Sequence, residues 1–123
     1  MNNKKGQKEE YFREVLYYEG YYLDFFNGLH PGLQKKFNWT LMLISKIERV
    51  PEKYLKHISG TAGLYEVRIE HESNTYRVFC FFDEGNLIIL MNAFQKKTQK
   101  TPRREIKKAE QLKKKYYNEK EST

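Results

Sequence analysis

Cysteine occurs once in this chain, as Cys80 between Phe79 and Phe81, so a disulfide framework and any thiolate metal cage are both excluded. Its apolar flanks predict a buried structural thiol. No apolar run approaches the ~20 residues that a membrane-spanning helix needs, and the opening M-N-N-K-K-G-Q-K-E-E has no signal-like apolar core. These absences predict a soluble cytoplasmic protein with a disordered head over residues 1–10. Glycine-rich phosphate loops, H-E-x-x-H and nucleophile elbows are missing too, which removes P-loop nucleotide chemistry, zinc-protease chemistry and the serine-hydrolase class. The three histidines, His30, His57 and His71, are scattered, and none has a carboxylate at a recurring spacing. No metal site and no cofactor are expected. His57, in K-H-I-S-G, reads as a surface residue.

Positive charge is present instead, and it is concentrated. Phe94 to Tyr117 holds ten Lys or Arg against two acids, a local balance of +8, whereas Met1 to Ala93 is neutral with twelve of each sign. The net +7 of the chain is thus the property of one segment. Clustered cations of this kind mark a polyanion partner, through phosphate neutralisation and counterion release. Ten Tyr and eight Phe supply aromatic surface for packing or for base stacking.

At 123 residues the chain suits one domain, here 11–117, with 118–123 as a flexible tail. Tyr11 to Tyr18 is aromatic and β-branched enough for a strand, with Phe12, Val15 and Tyr17 as core candidates. Gly20 breaks it, Tyr21 to Leu29 fits a short helix, and Gly28, Pro31 and Gly32 mark a turn. Leu33, Phe37, Leu41, Ile44 and Ile47 then fall on one face of a second helix that ends near Pro51. Glu52 to Gly63 has weak periodicity and reads as a loop. Three strands follow over Leu64–His71, Tyr76–Phe82 and Leu87–Asn92, with turn signals between them. Thr101-Pro102 predicts an N-cap and first-turn proline for a terminal helix bearing Ile106, Ala109, Leu112 and Tyr116 at helical spacing. The order is that of a small α+β domain.

Alternation also predicts pairing. Closing the first hairpin across Glu72 to Thr75 sets Glu70 against Arg77 and Arg68 against Phe79. Closing the second across Asp83 to Asn86 sets Arg77 against Asn92. Arg68 and Arg77 then share one sheet face, with Lys96 and Lys97 at its rim, a plausible phosphate cradle. The plainer alternative is an ordinary cross-strand ion pair between Glu70 and Arg77, with Glu66 or Glu70 neutralising Arg68.

The ordered set G-L-Y-E-V-R (Gly63 to Arg68), Y-R-V-F (Tyr76 to Phe79) and F-Q-K-K-T-Q-K-T-P-R-R-E-I (Phe94 to Ile106) resembles the HigB branch of the RelE/ParE toxins. The similarity runs from about Tyr11 to Tyr117 and takes in the helix with Trp39. This resemblance implies a RelE-like fold: an N-terminal strand and helical hairpin packed on a small twisted antiparallel sheet, with a basic C-terminal helix. It also implies the toxin of a type II toxin–antitoxin module, a metal-independent, ribosome-dependent mRNA endonuclease that leaves a 2′,3′-cyclic phosphate. Its implied partners are a helix-turn-helix antitoxin and mRNA on the ribosome. By motif match Arg68, Arg77, Lys96 and Lys97 take the catalytic positions. Lys56, Phe94, Lys100, Arg103, Arg104 and Tyr117 are the implied RNA contacts. Two alternatives stand beside this reading: a non-catalytic nucleic-acid-binding module, and a ParE-like toxin acting on DNA gyrase.

Overall fold

The computed structural model describes residues 11–122, so the expected disordered head lies outside the described residues. Eight elements follow in order: β1 (Glu14–Tyr17), α1 (Tyr21–Asn27), α2 (Pro31–Lys46), β2 (Leu55–His57), β3 (Leu64–His71), β4 (Asn74–Asp83), β5 (Leu87–Lys96) and α3 (Arg103–Glu121). The strands form one sheet in the order β1-β5-β4-β3-β2. Strands β2 to β5 are antiparallel neighbours, but β1 runs parallel to β5, so the sheet is mixed rather than wholly antiparallel.

The period of two along β3 and β4 feeds two cores. Val67, Ile69, Val78 and Cys80 pack under α1 and α2 with Leu33, Phe37 and Ile44. On the other face Leu64, Phe79 and Phe81 pack under α3 with Ala109 and Leu112. Helix α2 starts with Pro31 in its first turn and with His30 as cap, whose Nδ1 accepts from the Leu33 amide at 3.3 Å. At its other end the Arg13 guanidinium donates to the carbonyls of Ile44, Ile47 and Glu48, which have no partner inside the helix.

Several sequence expectations shift. Phe12 and Tyr17 are exposed (42% and 50%), and Tyr18 takes the buried place instead. The cause is position: β1 is an edge strand, and Tyr18 turns into the α3 layer, where its hydroxyl donates to Glu119. The expected loop Glu52–Gly63 contains β2, a strand too short to show a period. The β3–β4 turn is only Glu72-Ser73, both at positive φ (50° and 67°), so it closes two residues tighter than expected. At the other end of β4 the turn is Glu84-Gly85-Asn86, and a bulge follows between Val78 and Cys80. Thr101 does not cap α3; Pro102 occupies the cap position without a side-chain bond. The tail expected over 118–123 is helical through Glu121.

Helix α3 is fastened near that end by one buried carboxylate. Asp83 accepts from Tyr116 (2.7 Å), Lys120 (2.8 Å) and Tyr117 (3.3 Å), and Lys120 also meets Glu84. The bond from Lys120 holds the Asp83 carboxyl below the usual range, against the opposing effect of burial, with the tyrosine hydroxyls helping. A depressed folded pKa means that the stabilisation is complete above the unfolded value of ~3.9 and is lost as pH falls through the folded one. Asp83→Asn is expected to cost about 1–2 kcal/mol at neutral pH. Urea unfolding at pH 7 and pH 3 checks this, because the gap between wild type and variant must narrow in acid.

Candidate functional site

Helix α3 covers one end of its sheet face and leaves the other end open. Beyond the apolar Leu64, Phe79 and Phe81, the same face carries Glu66 and Arg68 of β3 and Arg77 of β4. The register places Arg68 directly against Arg77, Arg77 against Phe94, Thr75 against Lys96 and Lys56 against Glu66. The pairings expected from the sequence, Arg68 with Phe79 and Arg77 with Asn92, are each displaced. A two-residue shift in the first hairpin keeps every side chain on its face, which is why the arginines still converge. Asn92 instead ties β5 to α3, donating to the backbone and side chain of Glu105.

Like charges directly across a ladder repel, and here one carboxylate answers both. Glu66 Oε2 lies 3.4 Å from Arg68 Nε, and Glu66 Oε1 lies 3.4 Å from Arg77 Nε. The contact with Arg77 is an ion pair by distance without hydrogen-bond alignment, so both atoms keep directional capacity. Arg77 is nearly enclosed (side chain 4% exposed) and its Nη1 donates to the Tyr76 carbonyl. Burial lowers its pKa, with Arg68 adding and Glu66 and Glu70 opposing; an arginine so placed still keeps its charge. Arg68 is more open (30%) and donates to the Glu52 carbonyl.

Beside this triad lies a cleft of about 420 Å³ lined by Glu70, Thr75, Arg77, Lys96, Lys97, Thr98 and Gln99. Lys96 Nζ donates to the Gln99 carbonyl and Thr98 Oγ1 to that of Lys100, which curls the segment after β5 around the opening. Lys97 is exposed there. Three of the four expected catalytic residues thus meet in one cleft; the fourth, Arg68, does not line it and is linked to Arg77 through their shared partner Glu66.

The expected RNA contacts divide. Lys56 and Lys100 are exposed, the first on β2 and the second in the loop before α3. Arg103 and Arg104 line a separate hollow of about 500 Å³ with Ser59, Gly60 and Thr61. Phe94 is buried edge-on against Phe79, and Tyr117 packs on Phe81 while its hydroxyl reaches Asp83. Phe94 is thus part of the core, while Tyr117 packs against it half-buried. Sequence reasoning passed over the sharing of Glu66, and over Thr75, Thr98 and Gln99. The alternation places Glu66 on the right face, but its place opposite Phe79 and beside the Arg68–Arg77 pair depends on the tighter turn. A wider hollow, about 1060 Å³ between β1 and α2, is lined mainly by apolar residues such as Phe12, Leu41 and Met42. Among its lining residues Arg13 is the one cation, so it gathers no cationic cluster.

Glu66→Gln should leave two guanidiniums facing each other with no carboxylate between them. Removing one member of a buried ion group costs about 3–5 kcal/mol. Chemical denaturation of the variant is expected to show a loss of that order, and a loss near zero would mean that the arginines find other partners.

The family model described as phage-derived protein Gp49-like (DUF891) matches residues 24–114. No curated protein matches. Among solved structures the chain is similar to an archaeal RelE–RelB complex from Pyrococcus horikoshii OT3, at 18% identity and a TM-score of 0.51, over 68% of this chain and 94% of that one. At that identity the likeness concerns the fold, and the fold is RelE-like. With a match that runs from within α1 into α3 and takes in the whole charged cleft, the chain belongs to the Gp49-like family.

Proposed function

We propose that this protein is the toxin of a type II toxin–antitoxin module and that it cleaves mRNA at the Arg77–Lys96–Lys97 cleft. The observation that carries the reading is the convergence of these three cations, with Arg68 alongside, at the open end of a RelE-like sheet. In such a site the ribose 2′-oxygen attacks the adjacent phosphorus. The O2′–P bond forms, the P–O5′ bond breaks, and the products are a 2′,3′-cyclic phosphate and a 5′-hydroxyl. Negative charge grows on the non-bridging oxygens, and preorganised donors stabilise it there more than in the ground state. Arg77, held by Glu66 and by the Tyr76 carbonyl, is such a donor. Lys97 supplies a second cation and protonates the departing 5′-oxygen, while Glu70, which lines the cleft, accepts the 2′-hydroxyl proton. The chemistry requires no metal ion. The ribosome would present the message, and the exposed Lys56 and Lys100 would hold its backbone.

An antitoxin partner belongs to the same reading, since the similar fold occurs in a RelE–RelB complex. A helix-turn-helix protein with an acidic segment laid over the cleft would cancel its charge and exclude the message.

Lys96→Ala/Lys97→Ala is the cleanest test, because Lys97 is exposed and Lys96 only half-buried, whereas Arg77 is enclosed. Induced expression of the wild type is expected to arrest growth and to produce new mRNA ends within translated regions by primer extension. The double variant, folded by circular dichroism, should lose at least about 100-fold in cleavage. Arrest without new ends would redirect the search to a protein target such as gyrase. Salt-sensitive RNA binding without cleavage would leave a non-catalytic binding module.

A further inference from the structure

Two of the three histidines that look unrelated in sequence, His30 and His71, meet in the fold, while His57 packs apart from them against Tyr65. His30 caps α2, His71 ends β3, and Glu72 opens the two-residue turn into β4. The His30 and His71 rings lie 5.8 Å apart, and His71 Nε2 is 3.7 Å from Glu72 Oε2. One donor atom from each of the three residues falls within 4.8 Å of the others. Around a tetrahedral ion with bonds of about 2.0–2.1 Å, donor atoms sit about 3.3 Å apart. Small side-chain rotations close the remaining difference.

We propose that His30, His71 and Glu72 form a binding site for a divalent transition-metal ion of the zinc type. Two imidazoles and a carboxylate suit Zn²⁺ and its neighbours Co²⁺, Ni²⁺ and Cu²⁺, whereas Mg²⁺ and Ca²⁺ prefer all-oxygen sets. Three protein ligands leave a fourth position for water. His71 and Glu72 stand on a turn fixed by two positive φ angles, and His30 sits at the N-terminus of a long helix, so the ligands are presented by ordered backbone. His30 pays an internal price: its Nδ1 lone pair accepts from the Leu33 amide, so its neutral ring carries the proton on Nε2. Metal binding takes over that lone pair or shifts the tautomer, exchanging a long 3.3 Å cap bond for a coordinate bond.

The ion would clamp the start of α2 to the β3–β4 turn. The ladder pair next to His71–Asn74 is Glu70–Thr75, and both of its members line the cationic cleft. The clamp would therefore stiffen one wall of that cleft.

The full-length protein, stripped with chelator, is titrated with Zn²⁺ by calorimetry and with Co²⁺ by visible absorption. Saturable one-to-one binding with tetrahedral Co²⁺ bands is expected in the wild type, together with a Zn²⁺-dependent rise in melting temperature. His71→Ala, Glu72→Gln and His30→Asn should each weaken binding by about tenfold or more. Asn is itself a strong N-cap, so the last variant removes the imidazole and keeps α2. His57→Ala serves as the control and should bind as the wild type does. Failure to saturate below about 1 mM, or equal affinity in all four variants, would overturn the site.

Discussion

Two arginines on neighbouring strands face each other across the β3–β4 ladder, and the open half of the sheet depends on the single carboxylate between them. Without Glu66, the pairing of Arg68 with Arg77 would set like charges side by side with one of them enclosed, an arrangement that strands avoid. With Glu66 in place the three side chains sum to one positive charge. That remaining charge sits on donors whose positions are held by the Tyr76 and Glu52 carbonyls. Such a group is worth little as a source of stability, because desolvation consumes most of the Coulombic gain. Its value lies in orientation. On the proposed function, a phosphate entering the cleft would meet a guanidinium that needs no reorganisation.

The second constraint is how much of the face α3 covers. Apolar side chains at Leu64, Phe79 and Phe81 draw the helix onto one end, and Asp83 fastens it there through Tyr116, Tyr117 and Lys120. The helix therefore cannot slide over Glu66 and the arginines, whose charged heads would lose water without gaining partners. One strand face is thus divided by side-chain type into a packed apolar half and an open charged half. The same division places the rings of Phe94 and Tyr117 against the packed half.

Patterns with a period were legible in the sequence, and contacts that depend on tertiary placement were not. The face of α2, the extent of β3 and the shared face of Arg68 and Arg77 follow from spacing alone. Pairing partners depend on turn length, and Glu72-Ser73 lacks the Asn-Gly signature that announces a two-residue turn, so the expected register was two residues loose. A slip of two conserves faces and a slip of one does not, which is why the site survived the error. β2 was missed because three residues show no period, and the parallel placement of β1 because strand order is not a local property. The meeting of His30 with His71 was hidden for the same reason: α2 and the β3–β4 turn come together only when the sheet is assembled.

A RelE-like fold does not by itself decide between cutting RNA and binding a protein, because function resides in the side chains placed on the sheet. Here those side chains are Arg77, Lys96 and Lys97, with Glu70 the carboxylate among the cleft-lining residues and no histidine among them. A site of that composition is poorly suited to moving protons between groups that titrate near neutrality. It is well suited to stabilising charge that appears on a phosphate at the moment of bond formation. If the cleft acts on RNA, most of its effect must therefore come from electrostatic stabilisation and from alignment of the message. Alignment is what a ribosome-held substrate brings with it, and a site rich in fixed cations but short of acid–base pairs gains most from that help.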